Sequence, residues 1–139
     1  GVFNLELARM YSYLYQNTPL NFTILHSLDG YDELSLTCPA KCISKSQERI
    51  LNPSDFGVSL LSQSEIEGGK TIDESAEMFT TILSGKGTEA QNNVVCANAA
   101  MAIATVNQCS PLEGFELAKE SLFSGKGLTA LKKLQDLSK

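Results

Sequence analysis

Apolar positions recur along this chain in two rhythms, a helical one near both ends and a strand-like one between them. Leu7, Met10, Tyr11 and Leu14 fall at i, i+3, i+4 and i+7 and predict a helix over residues 4–16 with one face on the core. Asn4 suits its N-cap, Glu6 its first turn, and Asn17-Thr18-Pro19 its end. Tyr11, Tyr13 and Tyr15 alternate, so they point to different helix faces and read as core and rim packing, not a stacking platform. Phe22-Thr23-Ile24-Leu25 then reads as a buried strand of the parallel type. Leu34 and Leu36 alternate with Ser35 and Thr37, the pattern of a half-buried strand. Cys42-Ile43 and Ile50-Leu51 predict a meander or hairpin over residues 40–52, with its turn near Ser46-Gln47. Pro53-Ser54-Asp55-Phe56-Gly57 reads as a turn or a single helical turn.

From residue 68 onward the rhythm is helical. Gly68-Gly69 turns the chain, and Thr71-x-x-Glu74 is a capping box. Ile72, Ala76, Phe79 and Ile82 or Leu83 give the helix that follows one apolar face, and Gly85 ends it. Thr88-x-x-Gln91 opens a helix that is apolar nearly all round from Val94 to Val106, which predicts burial. Its alanines let neighbours approach closely, and Asn98 within it needs partners if buried. Ser110-Pro111-x-Glu113 combines N-cap, N1 proline and N3 glutamate. Phe115, Ala118 and Leu122 of this helix face the core, and Gly125 closes it. Leu128, Leu131, Leu134 and Leu137 form the stripe of a last helix. Ser-Gly-Lys-Gly occurs twice, at 84–87 and 124–127, each time after a helix, where a glycine stop explains it. The expected architecture is α/β: part of a mostly parallel sheet, with strands near 22–28 and 33–51 and four helices packed on it.

Composition narrows the class. The chain has 139 residues, 42% apolar and 19% charged, which is a soluble globular composition of about one domain's length. No apolar run approaches the roughly 20 residues that span a bilayer, and no basic segment precedes an apolar one as in a signal peptide. The net charge of −5 disfavours a nucleic-acid surface and attraction to an anionic membrane. It leaves a phosphorylated substrate open, since a metal ion can hold one. Cys96 reads as a small buried hydrophobe. Cys38 and Cys42 have a spacing some zinc sites use, but no second pair follows and the sole histidine, His26, lies twelve residues before Cys38, so zinc is disfavoured. Few cysteines in a chain of this length suit a reduced, cytoplasmic protein.

Two stretches invite chemistry. Gly69-Lys70-Thr71 suggests a nucleotide loop, but the Walker pattern needs a glycine at position 64, which is Ser64. The other stretch is Leu25 to Thr37, an apolar run followed by a tight acidic turn. Asp29, Asp32 and Glu33 place three carboxylates within five residues at the end of the expected strand. Clustered acids repel unless a cation, a donor or water stabilises them. Mg²⁺ favours one or two carboxylates plus substrate phosphates. A solvated Asp/Gly turn between two strands accounts for the same spacing, and spacing alone favours it.

The segment "LHSLDGYDELSLT" resembles the region around the metal-binding Asp-Glu pair of the anthranilate phosphoribosyltransferase family of tryptophan biosynthesis. Other segments agree in order. "GVFNLELARM" resembles the helix start after the family's Gly-Pro-Leu-x-Asn-Pro segment, "NPSDFG" its Pro-x-Asp-Phe-Gly turn, and "EGGK" its Gly-Gly turn. "AQNNVVCANAAMAI" resembles its Asn-Ala-Ala core helix, and "SPLEGFELAKESLFSGKGLTALKKL" its closing helices. "GGKTIDESA" departs, with Ser75 and a slightly longer spacer where the family usually carries Asn before Ala. The resemblance implies that residues 1–139 are the C-terminal portion of a larger α/β domain. The family's helical domain, Gly-rich phosphate loop, Lys-His-Gly segment and anthranilate-contacting Arg are then expected upstream of Gly1.

By the same resemblance, Asp32 and Glu33 are the Mg²⁺ ligands, Asp29 and Gly30 shape the turn, and Ser35 or Thr37 supports it. Asn98 is a fixed structural element, and His26, which matches a family histidine, reads as a satisfied residue at a strand end. No catalytic side chain is assigned. The implied reaction moves the phosphoribosyl group of phosphoribosyl pyrophosphate to anthranilate and releases pyrophosphate. The full-length family is expected to be a cytoplasmic homodimer, and this portion to be inactive alone. The alternatives are a pyrimidine-nucleoside phosphorylase of the same broad fold, which would not need the acidic pair, and a non-catalytic binding module.

Overall fold

A computed structural model describes residues 1–138. Helix α1 (Leu5–Tyr15) leads into strand β1 (Thr23–Ser27), then strands β2 (Ala40–Ser44) and β3 (Glu48–Leu51). Short 3-10 turns at Pro53–Phe56 and Gln63–Glu65 follow. Helices α2 (Ile72–Leu83), α3 (Glu89–Asn107), α4 (Pro111–Phe123) and α5 (Lys126–Leu137) complete the fold.

The class is α/β, as expected, but the sheet is antiparallel. Its order is β1-β2-β3, with Leu25 opposite Cys42 and Cys42 opposite Arg49. The apolar run of β1 suggested a parallel strand because both faces of β1 are buried. Ile24 packs with Val2, Ala8 and Ile43 under α1, while Leu25 packs with Cys42, Leu51, Ala97 and Met101 under α3. Burial on both faces writes a continuous apolar run whichever way the strand pairs. The connection from β1 to β2 contains no crossover helix, so the chain returns antiparallel. On the edge of β1 that does not pair with β2, Val2 N donates to Leu25 O at 2.9 Å, with α1 connecting the two segments.

The hairpin forms as predicted, with Lys45–Gln47 as its turn and Ser44 N donating to Gln47 O at 2.9 Å. Residues 34–37 are not a strand. Leu34, Ser35 and Leu36 are all buried in an irregular loop, and Leu36 has φ 61°. Left-handed backbone costs a leucine about 1–2 kcal/mol, while burying that side chain contributes about 1.5–3 kcal/mol. Burial is of the size needed to offset the strain.

The helix boundaries follow their caps. Asn4 accepts from Leu7 N at 2.7 Å. Thr88 with Gln91 and Ser110 with Glu113 form complete capping boxes. Thr71 accepts from Glu74 N, but the Glu74 carboxylate accepts from Lys70 N instead of the cap's own N–H. Gly85 and Gly125 follow their helices in the left-handed conformation, as expected.

The helix faces differ from expectation. Leu7, Ala8, Ser12 and Tyr15 of α1 turn inward, while Met10 and Leu14 lie 61% and 64% exposed. Ala8 packs with Val2, Ile24 and Ile43 on the inward face. Ile72 and Phe79 of α2 and Leu134 and Leu137 of α5 are also exposed, and neither helix has a buried residue. Helix α3 is buried along one face through Cys96, Ala97, Ala100 and Met101, while Val95 and Val106 are exposed.

Helices α3 and α4 pack closely in the core where Gly114 faces Ala100. A Cβ added at Gly114 would lie 2.6 Å from the Ala100 carbonyl oxygen. In an ordinary helix interior Gly→Ala stabilises by about 1 kcal/mol. Here Gly114→Ala is expected to destabilise by about 1–3 kcal/mol through overpacking. Urea unfolding followed by circular dichroism reads the sign, and a stabilised variant would contradict this packing.

Candidate functional site

The loop between β1 and β2 is built from Ser27, the last residue of β1. Ser27 is fully buried. Its N–H donates to Tyr31 O and its C=O accepts from Gly30 N, closing a turn in which Gly30 has φ 101°. Only glycine enters that region freely, which explains Gly30. The Ser27 hydroxyl donates to Glu33 O at 2.7 Å and accepts from Ser35 N at 3.2 Å. One side chain thus satisfies backbone groups on both sides of Leu34.

Asn98 takes the remaining pair. Its Oδ1 accepts from Leu34 N at 2.9 Å, and its Nδ2 donates to Leu34 O at 2.8 Å and to Val94 O at 2.9 Å. The amide imitates a neighbouring strand, which is why residues 34–36 can be buried without a ladder. Leu36 O accepts from Leu61 N at 3.0 Å, which ties the loop to the segment after the first 3-10 turn.

The three clustered acids separate into two kinds. Asp29 accepts from Ser35 Oγ at 3.3 and 3.4 Å and from Thr37 Oγ1. It is committed to the loop, as expected, with Ser35 and Thr37 as its supports. Asp32 and Glu33 are exposed, and among the described residues neither carboxylate has a hydrogen-bond or ion-pair partner. Gly1 packs against them, so that a Cβ there would fall 2.6 Å from Asp32 O and 3.1 Å from Glu33 Oε1. Glu33 also borders an open cleft of about 640 Å³ lined by Gly1, Leu25, Asn98 and Met101 among others. Two adjacent, uncommitted carboxylates are a donor set that Mg²⁺ accepts when water and phosphate complete its shell. The described residues hold no group of three or more His, Cys, Asp or Glu placed for a metal.

His26 is buried, and its Nδ1 lies 2.8 Å from Val2 O. A carbonyl only accepts, so Nδ1 carries the proton. The ring holds the chain start against β1, the structural role expected for it. All four cysteines are free. Burial pushes the Cys42 and Cys96 thiols up, opposed at Cys42 by the Arg49 guanidinium and at Cys96 by Lys119. Ser27 was not legible as a site residue, since a serine ending an apolar run carries no distinguishing pattern. Asn98 carried a signal, being polar within an apolar helix, but its partner was not readable.

Residues 1–128 match the glycosyl transferase family, a/b domain. The chain is 78% identical over 138 residues to the anthranilate phosphoribosyltransferase of Flavobacterium johnsoniae, covering 99% of this chain and 42% of that protein. It is 75% identical over 138 residues to the same enzyme of Flavobacterium psychrophilum, at the same coverage of 99% and 42%. The chain thus spans 42% of the length of these relatives. The crystal structure of the Thermus thermophilus anthranilate phosphoribosyltransferase shares the fold, with a TM-score of 0.86 at 23% identity over 96% of this chain and 40% of that one. The Saccharomyces cerevisiae enzyme, solved in complex with PRPP and Mg, aligns with a TM-score of 0.81 at 25% identity over 95% of this chain and 38% of that one.

The division of the acids is measurable. Asp29→Ala removes the acceptor of two hydroxyls and is expected to lower stability by about 1–2 kcal/mol. Asp32→Ala removes an exposed, unpartnered group and should stay within about 0.5 kcal/mol of the parent. Urea denaturation of both variants checks this, and equal losses would contradict the division.

Proposed function

The chain belongs to the glycosyl transferase family, a/b domain, and from that premise we propose that it is the metal-binding portion of an anthranilate phosphoribosyltransferase. Residues 1–139 then form part of the α/β domain, and the helical domain and Gly-rich phosphate loop belong to the remainder of the enzyme. The reaction joins the anthranilate amino nitrogen to the ribose C1 of phosphoribosyl pyrophosphate. The C1–O bond to pyrophosphate breaks, its electron pair leaves with pyrophosphate, and the amine gives up a proton.

The observation that carries the site is the pair of uncommitted carboxylates, Asp32 and Glu33, on a loop whose backbone is held from two elements. These two residues are the proposed Mg²⁺ ligands. When bound there, the ion supplies positive charge that offsets the pyrophosphate oxygens. The sequence identity of 78% to the Flavobacterium johnsoniae enzyme supports anthranilate as the acceptor. A cytoplasmic, homodimeric whole enzyme belongs to the same proposal, and the free cysteines suit a reducing compartment. No helix among the described residues is long and apolar enough to cross a membrane.

The test is made in the whole polypeptide that carries this chain. Asp32→Asn and Glu33→Gln are each expected to lower Mg²⁺-dependent turnover by about 10²-fold or more, followed as loss of anthranilate fluorescence. Near-parental turnover would reject the ligand assignment. Phosphate-dependent cleavage of a pyrimidine nucleoside, unaffected by either substitution, would instead identify a nucleoside phosphorylase.

A further inference from the structure

Three consecutive backbone units follow Asp32 in the acidic loop, and each is tied by a side chain from outside it. Ser27 Oγ donates to Glu33 O at 2.7 Å and accepts from Ser35 N at 3.2 Å. Asn98 holds Leu34 N at 2.9 Å and Leu34 O at 2.8 Å. Ser27 ends β1, while Asn98 stands in the middle of α3, 64 residues further along the chain than Leu34. Asn98 is itself oriented by its bond to Val94 O at 2.9 Å. The amide cannot rotate end over end without placing a donor against Leu34 N and an acceptor against Leu34 O.

From this geometry we propose that Asn98 and Ser27 are positioning residues for the metal pair. They fix the peptide units from Glu33 O to Ser35 N, and so anchor the backbone directly after the Asp32-Glu33 pair. The proposal rests on the reading of those carboxylates as metal ligands. A loop of this length without its clamp samples many backbone states, and ligands that must be ordered on binding hold a metal less tightly. Outer-shell partners of metal ligands alter affinity by about 10–100-fold when removed. Asn98 and Ser27 act one bond further away, through the main chain.

Asn98→Asp keeps the shape and the acceptor for Leu34 N but places negative charge against Leu34 O and Val94 O. Ser27→Ala removes a single hydroxyl. Mn²⁺ is the probe, titrated into the whole polypeptide and followed by the EPR signal of the free ion. Amide hydrogen exchange at Leu34 and the thermal midpoint are read on the same samples. Both variants are expected to weaken Mn²⁺ binding about tenfold or more, with faster exchange at Leu34. A variant that lowers the midpoint but binds Mn²⁺ like the parent has a purely structural residue, and that result in either folded variant overturns the proposal. Where Asn98→Asp does not fold, Ser27→Ala decides alone. Asp32→Asn is the control for the underlying reading. If it leaves Mn²⁺ binding unchanged, the metal assignment fails. If it weakens binding and the clamp variants do not, only the positioning role fails.

Discussion

The two-way hydrogen bond between Asn98 and the backbone of Leu34 is the constraint on which the acidic loop and the core beneath it depend. Leu34 and Leu36 are buried between the sheet and α3, yet their segment joins no ladder. Buried peptide groups left unpaired would each cost about 1–3 kcal/mol. A side-chain amide carries a donor and an acceptor side by side, so it can stand in for one residue of a neighbouring strand. The same contact brings α3 against the loop and the loop's leucines into the core with Phe56 and Phe115. Helix docking, loop conformation and core closure therefore share one polar contact.

The fate of the three acids follows from that loop. Carboxylates this close in sequence would repel if all faced the same solvent volume. Turning Asp29 back onto the Ser35 and Thr37 hydroxyls removes one from the group and uses its charge to hold the turn. Asp32 and Glu33 are left exposed and without protein partners among the described residues. Had the turn been held by those two instead, it would be equally ordered but would present no free pair to a cation. The arrangement separates the acid that supports from the acids that are presented.

Local signals were legible in the sequence, and long-range pairing was not. Caps such as Thr88 with Gln91 and Ser110 with Glu113 are contacts over three residues, so spacing alone defines them. The β2–β3 hairpin is likewise a local pairing. The apolar run of β1 reported burial on two faces correctly, but burial does not encode strand direction. The alternation at Leu34–Thr37 was a true burial signal with the wrong partner, because the backbone bonds went to Ser27 and Asn98. In α1 the helical period was read correctly, but Met10 and Leu14 of the stripe are exposed while Leu7 and Ala8 face the sheet. Spacing alone could not separate Asp29, which turns onto Ser35 and Thr37, from Asp32 and Glu33, which stay exposed.

Among the described residues, Ser27, Ser35, Thr37 and Asn98 form a network around Asp29, Glu33 and Leu34. In the role proposed for them, the two carboxylates of Asp32 and Glu33 gain little from ligand number, so their hold on a cation depends on how far they are already in place. The clamp comes from a strand end and a helix middle, elements whose own backbone groups are already paired, so the loop borrows its order from regular structure on either side.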